Sequence, residues 1–137
     1  MMTRNLDERT LVAGQINPDE VAGAAAEGVT LIVNNRPDGE EPDQPAHAQI
    51  EAAARAAGIG YRYIPVGSSG LSPVQVRAMA EALEGAEGKV LAFCRSGTRS
   101  TYLWALARAQ LGVDAEELVT RAAETGYDLT PIRRFLG

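Results

Sequence analysis

A chain of 137 residues that is 45% hydrophobic and 23% charged has the make-up of one folded globular domain, expected to span residues 1–137 with a core that needs no staples. Its net charge of −5 excludes nucleic acid as a general partner, since backbone binding demands a basic surface. One cysteine and one histidine exclude an intramolecular disulfide and the usual zinc sites, so no metal and no cofactor are expected. No apolar run reaches membrane-spanning length, and Met1–Thr10 lacks the apolar core of a signal peptide. The expectation is a cytoplasmic protein with no membrane partner. A free thiol fits such a reducing compartment.

In chain order, Thr10-Leu11-Val12-Ala13 is a short apolar run, expected as an edge strand. Asn17-Pro18-Asp19-Glu20 starts a helix by its Asn cap, its first-position Pro and its acids, and Gly28 ends it. Val29–Asn34 is a buried strand by its β-branched, apolar content. Arg36–Pro45 is acidic and proline-rich, and is expected as a solvated surface loop. Ala46–Ala57 is helical up to Gly58. Tyr61–Val66 is a strand with Pro65 near its end. Gly67-Ser68-Ser69-Gly70 is a loop, and Ser72-Pro73 opens a helix to about Leu83. Lys89–Phe93 is a strand, and Ser100–Leu111 a helix. A further helix covers Asp114–Glu124, capped by Asp114, and Thr130-Pro131 opens a short last one.

This alternation predicts an α/β fold with a central, mostly parallel sheet and helices on both faces. Ligands in such sheets bind beyond the carboxyl ends of the strands. Three loops should share that rim: Asn34–Pro45, Gly67–Leu71 and Cys94–Arg99.

The densest chemistry lies in Cys94-Arg95-Ser96-Gly97-Thr98-Arg99-Ser100. Its order is strand, tight loop, helix, with a thiol at the start and a guanidinium near the end. Amides at a helix N-terminus and a nearby cation both favour thiolate over thiol. The same amides form an anion site facing the sulfur. Cys94 and Arg99 are the candidate catalytic pair. Arg95, Ser96, Gly97, Thr98 and Ser100 form the anion-binding loop, with Gly97 permitting close backbone approach. Ser100 or Thr98 hydrogen-bonds the sulfur, or Ser100 only caps the following helix. Arg36, Asp38, Ser68 and Ser69 are candidates for a substrate rim, although Arg36 also suits a plain salt bridge. His47 is expected to be exposed. Trp104 is expected as a buried anchor on the helix behind the loop.

The loop resembles that of rhodaneses, and also the signature loop of cysteine-dependent protein phosphatases. The latter carry five residues between Cys and Arg, where this chain has four. A second resemblance covers most of the chain. Ala13-Gly14-Gln15 with the Pro18 helix, Leu31–Asp38, Tyr63–Val66 and Leu91–Ser100 together resemble the phosphatase-like domain of the beta-lactamase-hydrolase-like family. That resemblance implies a protein-tyrosine-phosphatase-like fold in a bacterial protein. The family's domain also occurs joined to a metallo-β-lactamase-type domain, so this chain is expected as a stand-alone form.

The implied function is hydrolysis of phosphate monoesters, aryl or tyrosyl, through a Cys94 thiol intermediate. Two departures bear on it. The Gly67–Gly70 loop holds no carboxylate to act as general acid, which leaves Asp38, Glu40, Glu41 or Asp43 to reach in from the acidic loop, itself expected to be solvated, and Phe93 stands where the phosphatases carry a histidine. The alternative is rhodanese-type transfer of sulfane sulfur from thiosulfate or a persulfide through a Cys94 persulfide. With no second cysteine, the acceptor is then an external thiol. A third reading is a catalytically weak anion-binding or thiol redox-sensing module. All three expect a small anionic partner.

Overall fold

The computed structural model describes residues 1–137. Five strands form one sheet: β1 (Thr3–Asn5), β2 (Thr10–Ala13), β3 (Val29–Asn34), β4 (Gly60–Tyr63) and β5 (Lys89–Phe93). Their spatial order is β1-β2-β5-β3-β4. Only the β1–β2 pair is antiparallel. β2 is therefore not an edge strand. All four of its residues are buried, because the three-residue β1 covers its outer side. β1 reads Thr-Arg-Asn, too short and polar to announce itself as a strand.

Side chains alternate across the sheet as the pleat requires. Val12, Val33, Val90 and Ala92 face a core shared with α3 (Pro73–Gly85), α4 (Thr98–Gln110) and α5 (Ala115–Glu124). Leu11, Ala13, Ile32, Leu91 and Phe93 face a second core under α1 (Val21–Ala26) and α2 (His47–Ala56). Helices thus cover both faces, as the alternating pattern predicts. Trp104 is fully buried in the first core, and its indole N–H donates to Asp7 Oδ2 at 2.9 Å. Met79, Leu83, Leu103 and Leu118 share that core with it.

The helix starts follow local chemistry. Asn17 N–H donates to Glu20 Oε1 at 2.8 Å, and Ser72 N–H to Gln75 Oε1 at 2.7 Å. Both bonds satisfy the chain at a helix entrance. Pro18–Glu20 winds as a tight 3₁₀ turn before α1 begins. The Asp114 carboxylate caps α5 by accepting from Glu116 N–H at 3.1 Å. Thr130–Phe135 is 3₁₀. β4 stops at Tyr63, short of the expected Val66, since Pro65 has no N–H to give. Ile64 and Val66 nonetheless bond to the carbonyls of Asn34 and Asn35, each at 2.9 Å. α4 begins at Thr98, two residues before the expected Ser100, because Gly97 turns the chain at φ +90° straight into the helix.

Register decides what meets at the rim. Ala13 pairs with Phe93, Phe93 with Asn34, and Asn34 with Tyr63. Four parallel strands thus end level, and the segments after them gather there: Gly14-Gln15, Cys94–Gly97, Asn35–Pro45 and Ile64–Leu71.

Candidate active site

β5 delivers Cys94 to the rim fully buried. Its Sγ accepts the Gly97 N–H at 3.1 Å. The N–H groups of Arg95, Ser96, Thr98 and Arg99 find no acceptor within the protein. Those of Thr98 and Arg99 are the orphan donors that any helix start leaves. Together the four supply donors for an anion at the mouth of a thirteen-residue helix. Ser96 and Thr98 pair their hydroxyls at 3.2 Å.

Ser100 takes neither of its expected roles. It lies inside α4, fully buried, and its hydroxyl donates to Asn35 Oδ1 at 2.8 Å. Asn35 Nδ2 donates onward to Ile64 O at 2.9 Å. This pair ties α4 to the crossing between β3 and β4. The early start of α4 carries Ser100 past both the cap position and the sulfur.

The guanidinium groups are partnered by carboxylates. Arg99 donates to both oxygens of Glu40, at 2.7 and 2.9 Å, and to Val66 O at 2.8 Å. Arg36 is only 3% exposed. It donates to Glu40 at 2.9 Å, to Glu41 at 2.8 Å and to Gln15 Oε1 at 3.0 Å. Arg95, more exposed, reaches Glu41 at 3.0 Å. Each of the two carboxylates thus bridges two arginines. Hydrogen bonds from Arg99 hold the Glu40 carboxyl down to about 2, and Arg36 adds to the effect. Glu40 in turn pushes the Arg99 guanidinium further up, with the Cys94 sulfur contributing.

The acidic segment is a surface loop, with Asp38, Gly39, Glu40, Pro42 and Asp43 exposed, yet it does not hang free in solvent. Arg36, buried and ion-paired, pins it over the site. Asp38 lies apart from that contact. Its Oδ1 accepts from His47 N–H at 2.8 Å at the start of α2, and its own N–H donates to the Tyr63 hydroxyl at 3.0 Å. The His47 ring stacks on Tyr63 at 3.9 Å and is only partly exposed. Ser68 and Ser69 are exposed. What their loop region gives the site is the Val66 carbonyl just before it. Sequence reasoning missed Gln15 and Tyr127 as parts of the site, and offered Glu40 and Glu41 as acids reaching in from the loop but not as partners of the arginines. Acids four and five residues after Arg36 were the available signal for Glu40 and Glu41. Gln15 stands level with Cys94 only through strand register, and Tyr127 comes from a distant turn.

Residues 2–111 match the family model described as beta-lactamase hydrolase-like protein, phosphatase-like domain. The chain belongs to this family. A beta-lactamase hydrolase-like protein of Xylella fastidiosa (strain Temecula1) is 38% identical over 91% of the chain and 29% of the relative. The chain spans about a third of the length of the curated relatives it matches. A phosphatase candidate from Neisseria meningitidis z2491, of known structure, is 34% identical, with a TM-score of 0.82 over 96% of this chain and 94% of that one. Tk-PTP in its active form, at 18% identity, shares the fold with a TM-score of 0.72 over 98% of this chain and 92% of that one. The beta-lactamase-hydrolase-like phosphatase domain is thus protein-tyrosine-phosphatase-like in architecture, as the resemblance implied. No helix of this one is long and apolar enough to cross a membrane.

Proposed function

We propose that this chain is a cysteine-dependent hydrolase of phosphate monoesters, with Cys94 as nucleophile and Arg99 as the phosphoryl clamp. One observation carries the reading. Cys94 Sγ sits under the Gly97 N–H at 3.1 Å, beside four loop amides without acceptors and the Arg99 fork. Such donors stabilise both a thiolate and the equatorial oxygens of a phosphoryl group in transfer.

In the first step the Cys94 thiolate attacks phosphorus. The S–P bond forms as the P–O bond to the leaving group breaks, and the bonding pair departs on that oxygen. The phosphoryl oxygens take the loop amides and the Arg99 fork, in place of Glu40. Water then attacks the phosphocysteine, releasing inorganic phosphate and restoring the thiolate.

The leaving group decides the substrate class. No carboxylate stands in Gly67–Gly70, and Glu40, held at about 2, carries no proton to donate at neutral pH. A phenolate leaves with far less help from a proton than an alkoxide does. Aryl and tyrosyl phosphates are therefore the expected substrates.

The test runs an aryl phosphate in parallel with thiosulfate plus cyanide, on the wild type and Cys94→Ser. Phosphate release from the wild type and its loss by about 10³-fold or more in the variant are expected. Thiocyanate formation without phosphate release overturns this reading in favour of sulfur transfer.

A further inference from the structure

The Cys94 loop is held from behind by a residue outside the family-model match. The Ser96 carbonyl and the Gly97 N–H belong to one peptide unit. In a trans peptide the two point in opposite directions. Here the N–H donates to Cys94 Sγ at 3.1 Å, and the carbonyl accepts the Tyr127 hydroxyl at 3.0 Å. One peptide therefore links a phenol to the thiol. A carbonyl that accepts a hydrogen bond makes the N–H of its own peptide a stronger donor.

The surroundings are built for this contact. A Cβ at position 97 would run into the Tyr127 hydroxyl, and the residue sits at φ +90°. Glycine satisfies both conditions at once. The next peptide back is tied in a similar way. Arg95 O accepts Gln15 N–H at 3.3 Å, and a Cβ on Gly14 would lie 2.8 Å from that oxygen. Tyr127 is itself anchored. Its N–H bonds to Ala122 O at 2.9 Å, and the Arg4 guanidinium lies 5.4 Å from its ring centroid while donating to Thr125 O. Burial pushes the Tyr127 phenol up, so the hydroxyl keeps its proton; Arg4 opposes the shift and the Cys94 charge adds to it.

We propose that Tyr127 is a positioning residue, which fixes the Ser96–Gly97 peptide so that its N–H stabilises the Cys94 thiolate. The proposal rests on the reading of Cys94 as the working thiolate. The charged groups facing the sulfur side are Arg99 and, through it, Glu40; Arg4 stands behind Tyr127.

Tyr127→Phe removes the hydroxyl and keeps the ring under Arg4. Because the chain has one cysteine, ultraviolet thiolate absorbance reports Cys94 alone, with Cys94→Ser and Cys94→Ser/Tyr127→Phe as blanks. The pH midpoint of that signal is expected to rise by about 0.5–1 unit in Tyr127→Phe. Aryl phosphate turnover is expected to fall about 3–10-fold below the wild-type midpoint and to recover above it. An unmoved midpoint overturns the proposal, even where activity falls, since that is the mark of a merely structural role. If neither protein releases phosphate but the midpoint still moves, the phosphatase reading fails and the Tyr127 clamp stands. Should Tyr127→Phe not fold, Arg4→Met loosens the ring and keeps the hydroxyl. A smaller upward shift is then expected, and no shift counts against the clamp.

Discussion

Replacing Glu40 by Gln keeps the shape and one acceptor oxygen, the Oε1 shared by Arg99 and Arg36, while it removes the charge and the Oε2 acceptor of Arg99 Nη1. The Glu40 carboxyl lies at about 2, against 4.5 for an ordinary glutamate. By linkage that difference is worth about 3 kcal/mol of stability at pH 7. The side chain is 28% exposed, and solvent screening at a rim lowers the figure to about 1–2 kcal/mol. The sign follows from a depressed carboxylate: the stabilisation is present above pH 4.5 and is lost as pH falls toward 2. Urea unfolding of wild type and Glu40→Gln at pH 7, 4.5 and 3 is therefore expected to show a gap that shrinks on acidification. The same change acts on the site. A phosphate anion no longer has to displace a charged carboxylate from Arg99, and Val66 O still holds that guanidinium at 2.8 Å. Inhibition by inorganic phosphate is expected to tighten about 3–10-fold, by roughly 1 kcal/mol. A stability gap that does not depend on pH refutes the charge argument. Weaker phosphate inhibition shows instead that Glu40 is needed to aim Arg99.

Two further predictions concern the frame of the site. Gly97→Ala forces a Cβ into the positive-φ residue that abuts the Tyr127 hydroxyl; a loss of about 1–3 kcal/mol in urea unfolding and of most aryl phosphate turnover is expected, and wild-type values contradict the loop geometry. Trp104→Phe leaves Asp7 Oδ2 without its indole donor. Burial raises the Asp7 carboxyl, yet the bonds from Trp104 and Arg9 outweigh it and hold the group below its usual range. Wild type is expected to lead this variant by about 1–3 kcal/mol at neutral pH, with part of the gap lost below the ordinary aspartate range. An unchanged gap at acid pH assigns the whole loss to packing.

Much of this was legible from local chemistry. Pro18 and Ser72-Pro73 mark helix entrances, Val29–Asn34 reads as a buried strand, and the Cys94–Arg99 loop announces a thiol beside an anion site. The family resemblance added the architecture. What stayed hidden depends on register and on distant partners. β2 reads as an edge because its cover, β1, is three polar residues. Ser100 reads as a sulfur partner because the helix start at Gly97 depends on a positive φ, which composition allows but does not announce. The acidic loop is on the surface as it reads, but its ion pairing stays hidden because nothing local says that Arg36 is buried. Once it is, its desolvated charge requires carboxylates, and Glu40 and Glu41 are drawn over the site. Tyr127 likewise gives no local signal, since its contact with Ser96 spans thirty-one residues of chain.

The central claim is that Cys94 carries the phosphoryl group. Rapid acid quench of the enzyme turning over an aryl phosphate, followed by peptide mass analysis, tests it most directly. One phosphoryl group on the Cys94 peptide is expected in the wild type, and none in Cys94→Ser. Phosphate release that persists in Cys94→Ser, with no adduct on the Cys94 peptide of the wild type, contradicts the account.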